Sequence, residues 1–230
     1  MKKAIFLTLI SLLISACLPK NVQVPQSPLL STLERKAGLI AYIGIDGNIY
    51  VSDQGGGKLS QLTTDANISS DQTEFNFYQL PTWSQDGNQL AFVGTSGTKT
   101  NATAKLFVAN IKDAQQKEIY SSRSEFPIYL YWSPDEANVS FISTSVSGAS
   151  LILQNVPVAG GERTVIDTGS PYYWSWAPDG RTLITHSGGA ANSTSPEHLA
   201  FIQLQDSGII EDGLDTAPAP FQARSEEHTF

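Results

Sequence analysis

A chain of 230 residues with 40% hydrophobic residues is long enough for one large or two ordinary domains with a real core, which excludes disorder as the state of its bulk. The formal net charge is −8 and the 14 Lys and Arg are scattered, which argues against a nucleic-acid partner, since phosphate binding needs clustered cations. Four Trp, eight Tyr and ten Phe beside a single Met favour strand packing over a helical bundle.

The chain opens MKKAIFLTLISLLISAC, with two lysines, an apolar run from Ala4 to Ile14 and small residues before Cys17. That order is the order of a secretory signal, and the run is too short for a stable membrane span. A buried helix of the mature fold would not account for the charged and small-residue flanks. Ile14-Ser15-Ala16-Cys17 resembles the bacterial lipobox, with Ile where Leu is commoner. The resemblance implies that residues 1–16 are removed and that the Cys17 thiol is diacylated. Cys17 is the only cysteine, so neither an intramolecular disulfide nor a cysteine metal cluster is possible. Acylation supplies the two or more chains that stable anchoring requires. Removal of Lys2 and Lys3 takes the charge from −8 to −10, so the lipid and not basic residues would hold the membrane. The expected location is therefore extracytoplasmic, on the bacterial cell envelope. Residues 17–38 carry three prolines and little periodicity, and read as an extended tether.

From Leu39 onward short apolar runs dominate: LIAYI, NIYVS, LAFV, KLFVAN, VSFI, LILQNV, TLIT and LAFIQL. Each is four to six residues long, rich in β-branched and aromatic residues, and bounded by Gly, Asp, Asn or Ser. No window of a dozen residues keeps a helical period, so the domain is expected to be all-β. An internal repeat orders these strands. WSQDGNQLAF begins at Trp83, WSPDEANVSF at Trp132 and WAPDGRTLIT at Trp176, 49 and 44 residues apart. A second apolar strand follows each copy, and in the first two copies a more polar third strand follows that. An aromatic approach (FYQLPTW, FPIYLYW, SPYYWSW) leads into each Trp. An earlier unit, LIAYIGIDGNIYVSDQGGGKLSQLTT, has the strands without the leading Trp motif. The period fits a four-stranded propeller blade.

This pattern resembles the WD40-like repeat of TolB-type β-propellers, found in bacterial periplasmic and surface proteins and in the propeller domains of prolyl oligopeptidase relatives. The resemblance covers Leu39 to about Ala223. Local departures are Gln85 for Pro, Glu136-Ala137 for Gly and its neighbour, and Ala177 for Ser. It implies a propeller of four-stranded blades over residues 39–223, with about four blades present.

The repeated residues suit a structural role. Pro134 and Pro178 preset φ, Asp86, Asp135 and Asp179 can accept backbone N–H groups, and Gly87 and Gly180 tolerate positive φ, so the motif is turn chemistry. Trp83, Trp132 and Trp176 each end a strand where a large ring can fill the wedge between blades. The three aspartates do not make a catalytic set, because equivalent turns of different blades are spread around a ring while acid and base must converge. No G-x-S-x-G, H-E-x-x-H or G-x-x-x-x-G-K-[ST] occurs, so no catalytic, cofactor or metal residue is assigned. His186 and His198 sit at strand ends, where a satisfied or solvated histidine is commoner than a ligand. Asp65, Asn67, Ser69 and Asp71 alternate as in a calcium loop, but Ser70 and Asn76 stand where Gly and a bidentate Glu are needed, so an ordinary loop is the preferred reading.

One repeat beyond Trp176, where PAPFQA approaches and another Trp is due, the chain reads RSEEHTF. Residues 224–230 resemble the translated start of a common sequencing-library adapter and are expected to be non-native. The blades would then be an arc of a larger ring, since propellers have four to eight. Two functions fit. One is a non-catalytic scaffold binding a protein, peptide or glycan. The other is the gating domain of an exported serine peptidase related to prolyl oligopeptidase, with its hydrolase part further along the gene.

Overall fold

The computed structural model describes residues 38–56, 59–68, 73–145, 150–188, 197–205 and 208–213, all within the unit Gly38–Phe230. Cys17, the signal segment, the tether and the 224–230 tail lie outside the described residues.

Among the described residues every element is a strand, and every pairing is antiparallel between chain neighbours. The first sheet contains β1 (Leu39–Ile43), β2 (Ile49–Asp53) and β3 (Ser60–Gln61). The second contains β4 (Glu74–Trp83), β5 (Gln89–Thr98), β6 (Asn101–Asn110) and β7 (Gln116–Ser122). The third contains β8 (Glu125–Trp132), β9 (Asn138–Ser145), β10 (Leu151–Pro157) and β11 (Thr164–Gly169). The fourth contains β12 (Tyr172–Trp176), β13 (Thr182–Ser187), β14 (His198–Gln205) and β15 (Gly208–Gly213).

Four meanders of one pattern, each packed on the next, are successive blades of a β-propeller. The hydrophobic cores lie between blades rather than within them. Ile49, Val51 and Leu62 of the first blade pack with Tyr78, Leu90 and Phe92 of the second. Val93, Leu106 and Val108 of the second blade meet Leu130, Trp132 and Phe141 of the third. Ile142 and Leu153 of the third meet Tyr172, Trp176, Leu183 and Ile202 of the fourth. The alternation read from the sequence produces this arrangement: side chains along a strand point to opposite faces, and each face finds a different neighbouring blade.

First strands lie beside first strands. Trp132 on β8 donates its Nε1–H to the Thr82 carbonyl on β4 at 2.9 Å, and the Tyr129 ring on β8 meets Trp174 on β12 edge-on at 5.3 Å. These inner strands are irregular. β4 bulges between Gln79 and Thr82, with Leu80 at φ +57°, and β8 bulges between Pro127 and Tyr129. A bulge re-aims the side chains on either side of it. Tyr129 and Tyr131 on β8 and Tyr173 on β12 stand exposed on these first strands.

The first blade departs from the four-stranded expectation, with three strands among the described residues. Its β1–β2 connection is the Asp46-Gly47-Asn48 hairpin, and Asn48 Oδ1 accepts from Thr63 Oγ1 at the end of the blade. The hairpin therefore lies opposite the W-S-x-D turns, so β1, β2 and β3 match the last three strands of the other blades. A second departure is β15: the sequence shows a polar third strand after only two Trp copies, yet GIIEDG pairs with β14 from Ala200↔Gly213 to Gln205↔Gly208. Glycine at both its ends and Glu-Asp inside it hide the strand from an apolar-run reading.

Candidate functional site

At one end of the blades stand the repeat turns, held by their aspartates. Asp86 Oδ1 accepts from Ser84 Oγ at 2.6 Å and from the Asn88 N–H at 2.9 Å. Asp135 Oδ1 accepts from Ser133 Oγ and the Ala137 N–H. Asp179 accepts from the N–H groups of Arg181 and Thr182 at 2.9 and 2.8 Å and from Thr182 Oγ1. Hydrogen bonding, led by the Ser84 hydroxyl, pulls the Asp86 carboxyl down to about 2, and the Thr182 hydroxyl lowers Asp179 in the same way. Pro134 and Pro178 occupy the second position of turns closed by Glu136 N–H to Ser133 O (2.9 Å) and Gly180 N–H to Ala177 O (3.1 Å).

Gly87 and Gly180 close their turns at φ +70° and +67°, and Glu136 occupies the same left-handed position at +58°. A non-glycine residue there is strained, and Glu136 has an offsetting contact. Its Oε1 accepts from the Asp86 N–H across the blade boundary at 2.5 Å. The three Trp side chains are also placed between blades: Trp132 and Trp176 are buried in successive interblade cores, and Trp83 packs half-buried against the first.

The opposite, hairpin end of the second blade opens into a cavity of about 560 Å³. Its lining combines the polar side chains of Asp65, Asn67, Glu74 and Asn76 with the rings of Phe75, Tyr78 and Phe107, and also includes Gly94, Ser96, Gly97 and Lys105. Tyr78 donates its hydroxyl to Asp65 Oδ1 at 2.6 Å, and Asn76 Nδ2 donates to Asp65 Oδ2 at 2.9 Å, so a strand and a loop are locked together. Burial, with the Asp65 hydrogen bond, pushes the Tyr78 hydroxyl up to about 12. Lys105 is paired with Glu118 at 2.8 Å, which leaves the lining net acidic through Asp65 and Glu74. Gly94 keeps the space open: a Cβ there would stand 3.0 Å from both Phe107 and Tyr78.

The sequence singled out Asp65, Asn67 and Asn76 in the calcium-loop comparison; Ser69, Ser70 and Asp71 lie outside the described residues. Asn76 directs its amide N–H₂ at the Asp65 carbonyl and carboxylate, which ties β4 to the loop before it. Tyr78, Gly94, Lys105 and Phe107 carried no sequence signal beyond a glycine inside a strand, which marks a close approach. His186 and His198 are paired with Glu197 and Glu211 at 2.7 and 2.6 Å. The third histidine of the sequence, His228, lies outside the described residues.

Compared as a sequence, the chain matches no protein-family model and no curated protein. Solved structures do resemble it. An oligogalacturonate lyase in complex with manganese is 14% identical, with a TM-score of 0.53 over 72% of this chain and 43% of that one. A dipeptidyl aminopeptidase IV homologue from Bacteroides ovatus is 15% identical, with a TM-score of 0.51 over 77% of this chain and 32% of that one. A TolB homologue from Agrobacterium tumefaciens is 17% identical, with a TM-score of 0.49 over 76% of this chain and 60% of that one. The chain thus spans 60% or less of the length of each. At these identities the likeness concerns the fold alone.

Proposed function

We propose that the protein is a lipid-anchored, extracytoplasmic lipoprotein whose propeller is a non-catalytic scaffold that binds a protein, peptide or glycan at the hairpin-end cavity. The observation that carries this reading is the cavity itself. It has the size of a small-ligand site, with aromatic rings and a few convergent polar groups in its lining. The repeat carboxylates, by contrast, are spent inside their own turns. Titrating the chain with peptide and oligosaccharide panels, alongside a Ser96→Trp variant that fills the cavity, tests it. Binding to the wild type and its loss in the variant, at unchanged thermal stability, is the expected result. Equal binding by both would remove the cavity from consideration.

Anchoring has its own test. Growth with a radioactive fatty acid is expected to label the wild-type chain and leave Cys17→Ser unlabelled. Labelling of the variant would overturn the assignment.

The peptidase reading is supported by the aminopeptidase likeness, in which this chain spans 32% of the other. A G-x-S-x-G followed by Asp and His in the gene beyond Ala223 would establish it, and its absence would favour the scaffold.

A further inference from the structure

Each blade has a leading face, turned to the blade before it, and a trailing face, turned to the blade after it. The repeat tryptophans hold one register in the pairings Trp83↔Leu90, Trp132↔Val139 and Trp176↔Leu183. The cross-strand pair Ile184↔Phe201 of the fourth blade is therefore the counterpart of Ala91↔Val108 in the second and Ser140↔Asn155 in the third. Those four counterparts are at most 7% exposed, because the following blade covers them: Ala91 and Val108 share a core with Trp132, and Ser140 accepts from Trp176.

In the fourth blade the same face is bare. Leu183 and Ile202 point back into the core with the third blade, so the alternation along β13 and β14 turns Ile184 and Phe201 the other way. Phe201 is 36% exposed. Tyr173, 62% exposed, stacks on His186, which lies two residues from Ile184 on the same side of β13. Ile210, 49% exposed, pairs with Gln203, two residues from Phe201. The first blade is bare on its leading face. Ala41, Ile49 and Val51 pack toward the second blade, which turns Ile40 and Tyr42 outward at 49% and 38% exposure, the Tyr42 ring stacked on Tyr50 at 5.6 Å. The end repeats of such arrays ordinarily carry polar outer faces, and these two carry aromatic and aliphatic side chains instead.

The occupant follows from the interfaces already formed. Within the chain a trailing face packs on the leading face of its successor, and the first blade's leading face is the one left without a predecessor among the described residues. We infer that the fourth blade of one chain docks on the first blade of a second copy, with Tyr173, Phe201 and Ile210 against Ile40, Tyr42 and Tyr50. The contact joins two different patches, so it is head to tail. Two copies close into one ring where the rotation per blade permits, and longer assemblies grow where it does not. The first blade brings no repeat Trp to this contact, so the association is weaker than the packing inside the chain and reversible at about 1–100 μM.

Sedimentation of the 230-residue chain and of two variants, each with one face charged, tests the assignment. Phe201→Lys with Ile210→Lys alters the trailing face, and Ile40→Lys with Tyr42→Lys the leading face. All four side chains are 36% exposed or more, so both variants are expected to melt with the wild type. At ~100 μM the wild type is expected to sediment as a dimer or larger species, and each variant alone as a monomer. Mixed in equal amounts, the two variants are expected to form a one-to-one pair, because each keeps the face that the other has lost. That recovery also shows that both are folded. A mixture that stays monomeric overturns the proposal. So does a Phe201→Lys, Ile210→Lys variant that associates as the wild type does, which would place the contact at β1 on both chains, and so does a wild type that is monomeric at ~100 μM.

Discussion

Ser140 is a single buried hydroxyl on which two blades depend. Its Oγ accepts from Trp174 Nε1 at 3.1 Å and from Trp176 Nε1 at 2.9 Å, and it donates to the Tyr131 carbonyl at 3.0 Å. That is one donor and two acceptors, the full capacity of a hydroxyl. Ser140→Ala leaves a buried indole N–H and a carbonyl unpaired, so a loss of about 1–3 kcal/mol is expected in urea unfolding followed by tryptophan fluorescence. A loss under about 0.5 kcal/mol would mean that water takes over those bonds. Asp86 makes a prediction in pH. Its folded value of about 2 lies below the ordinary 3.8, so its contribution is present above pH 3.8 and is lost as pH falls through about 2. Asp86→Asn is expected to flatten that part of the acid-unfolding curve, and an unchanged curve would assign the acid sensitivity elsewhere.

At the scale of the element, the third blade is tied to the outer strand of the second by a polar network inside its packing. Glu125, opening β8, accepts from Gln154 Nε2 on β10 at 2.9 Å, from the Tyr120 hydroxyl on β7 at 3.3 Å and from Arg163 just before β11. Gln154 is fully buried and also donates to Ser143, and the Arg163 guanidinium lies over the Tyr120 ring at 5.7 Å. Burial pushes the Glu125 carboxyl up, but Arg163 and Gln154 outweigh it and hold the group below its ordinary 4.5. The contribution is therefore complete above pH 4.5 and fades as pH falls through the lowered value. Glu125→Leu is expected to cost about 1–3 kcal/mol in denaturant unfolding, chiefly by stranding Gln154. Glu125→Gln keeps the acceptor and is expected to cost less while losing the pH dependence. Equal costs for the two variants would place the effect in the charge alone.

At the scale of the whole molecule, cohesion passes from blade to blade, because each core is shared by two neighbours. The first blade is the least covered. Leu39, Ile40, Tyr42 and Ile43 of β1 are exposed, on a strand that among the described residues pairs on one side only. An apolar edge of this kind invites pairing with another chain. Poor solubility of the expressed chain is the expected outcome. Ile40→Lys with Ile43→Lys is expected to raise the concentration at which light scattering reports a monomer. No change in self-association would show that this edge is not the sticky surface.

Much of this architecture was legible in order along the chain. Trp83, Trp132 and Trp176 mark the blade period, and apolar runs such as LILQNV mark strands, because a two-residue side-chain period and a turn of Asp with Pro or Gly are local properties. The long β5–β6 hairpin and β15 were not legible, since pairing partners and not their own residues define them. The hairpin-end cavity was hidden for the same reason, because Asp65 meets Tyr78 across a loop. The sequence by itself determined the all-β class, the repeat and the turns, because these follow from backbone preference and periodicity. Only the tertiary structure decided which polar groups converge and which apolar faces stay uncovered. Burial and hydrogen-bond satisfaction are properties of neighbours in space, and the chain order does not contain them.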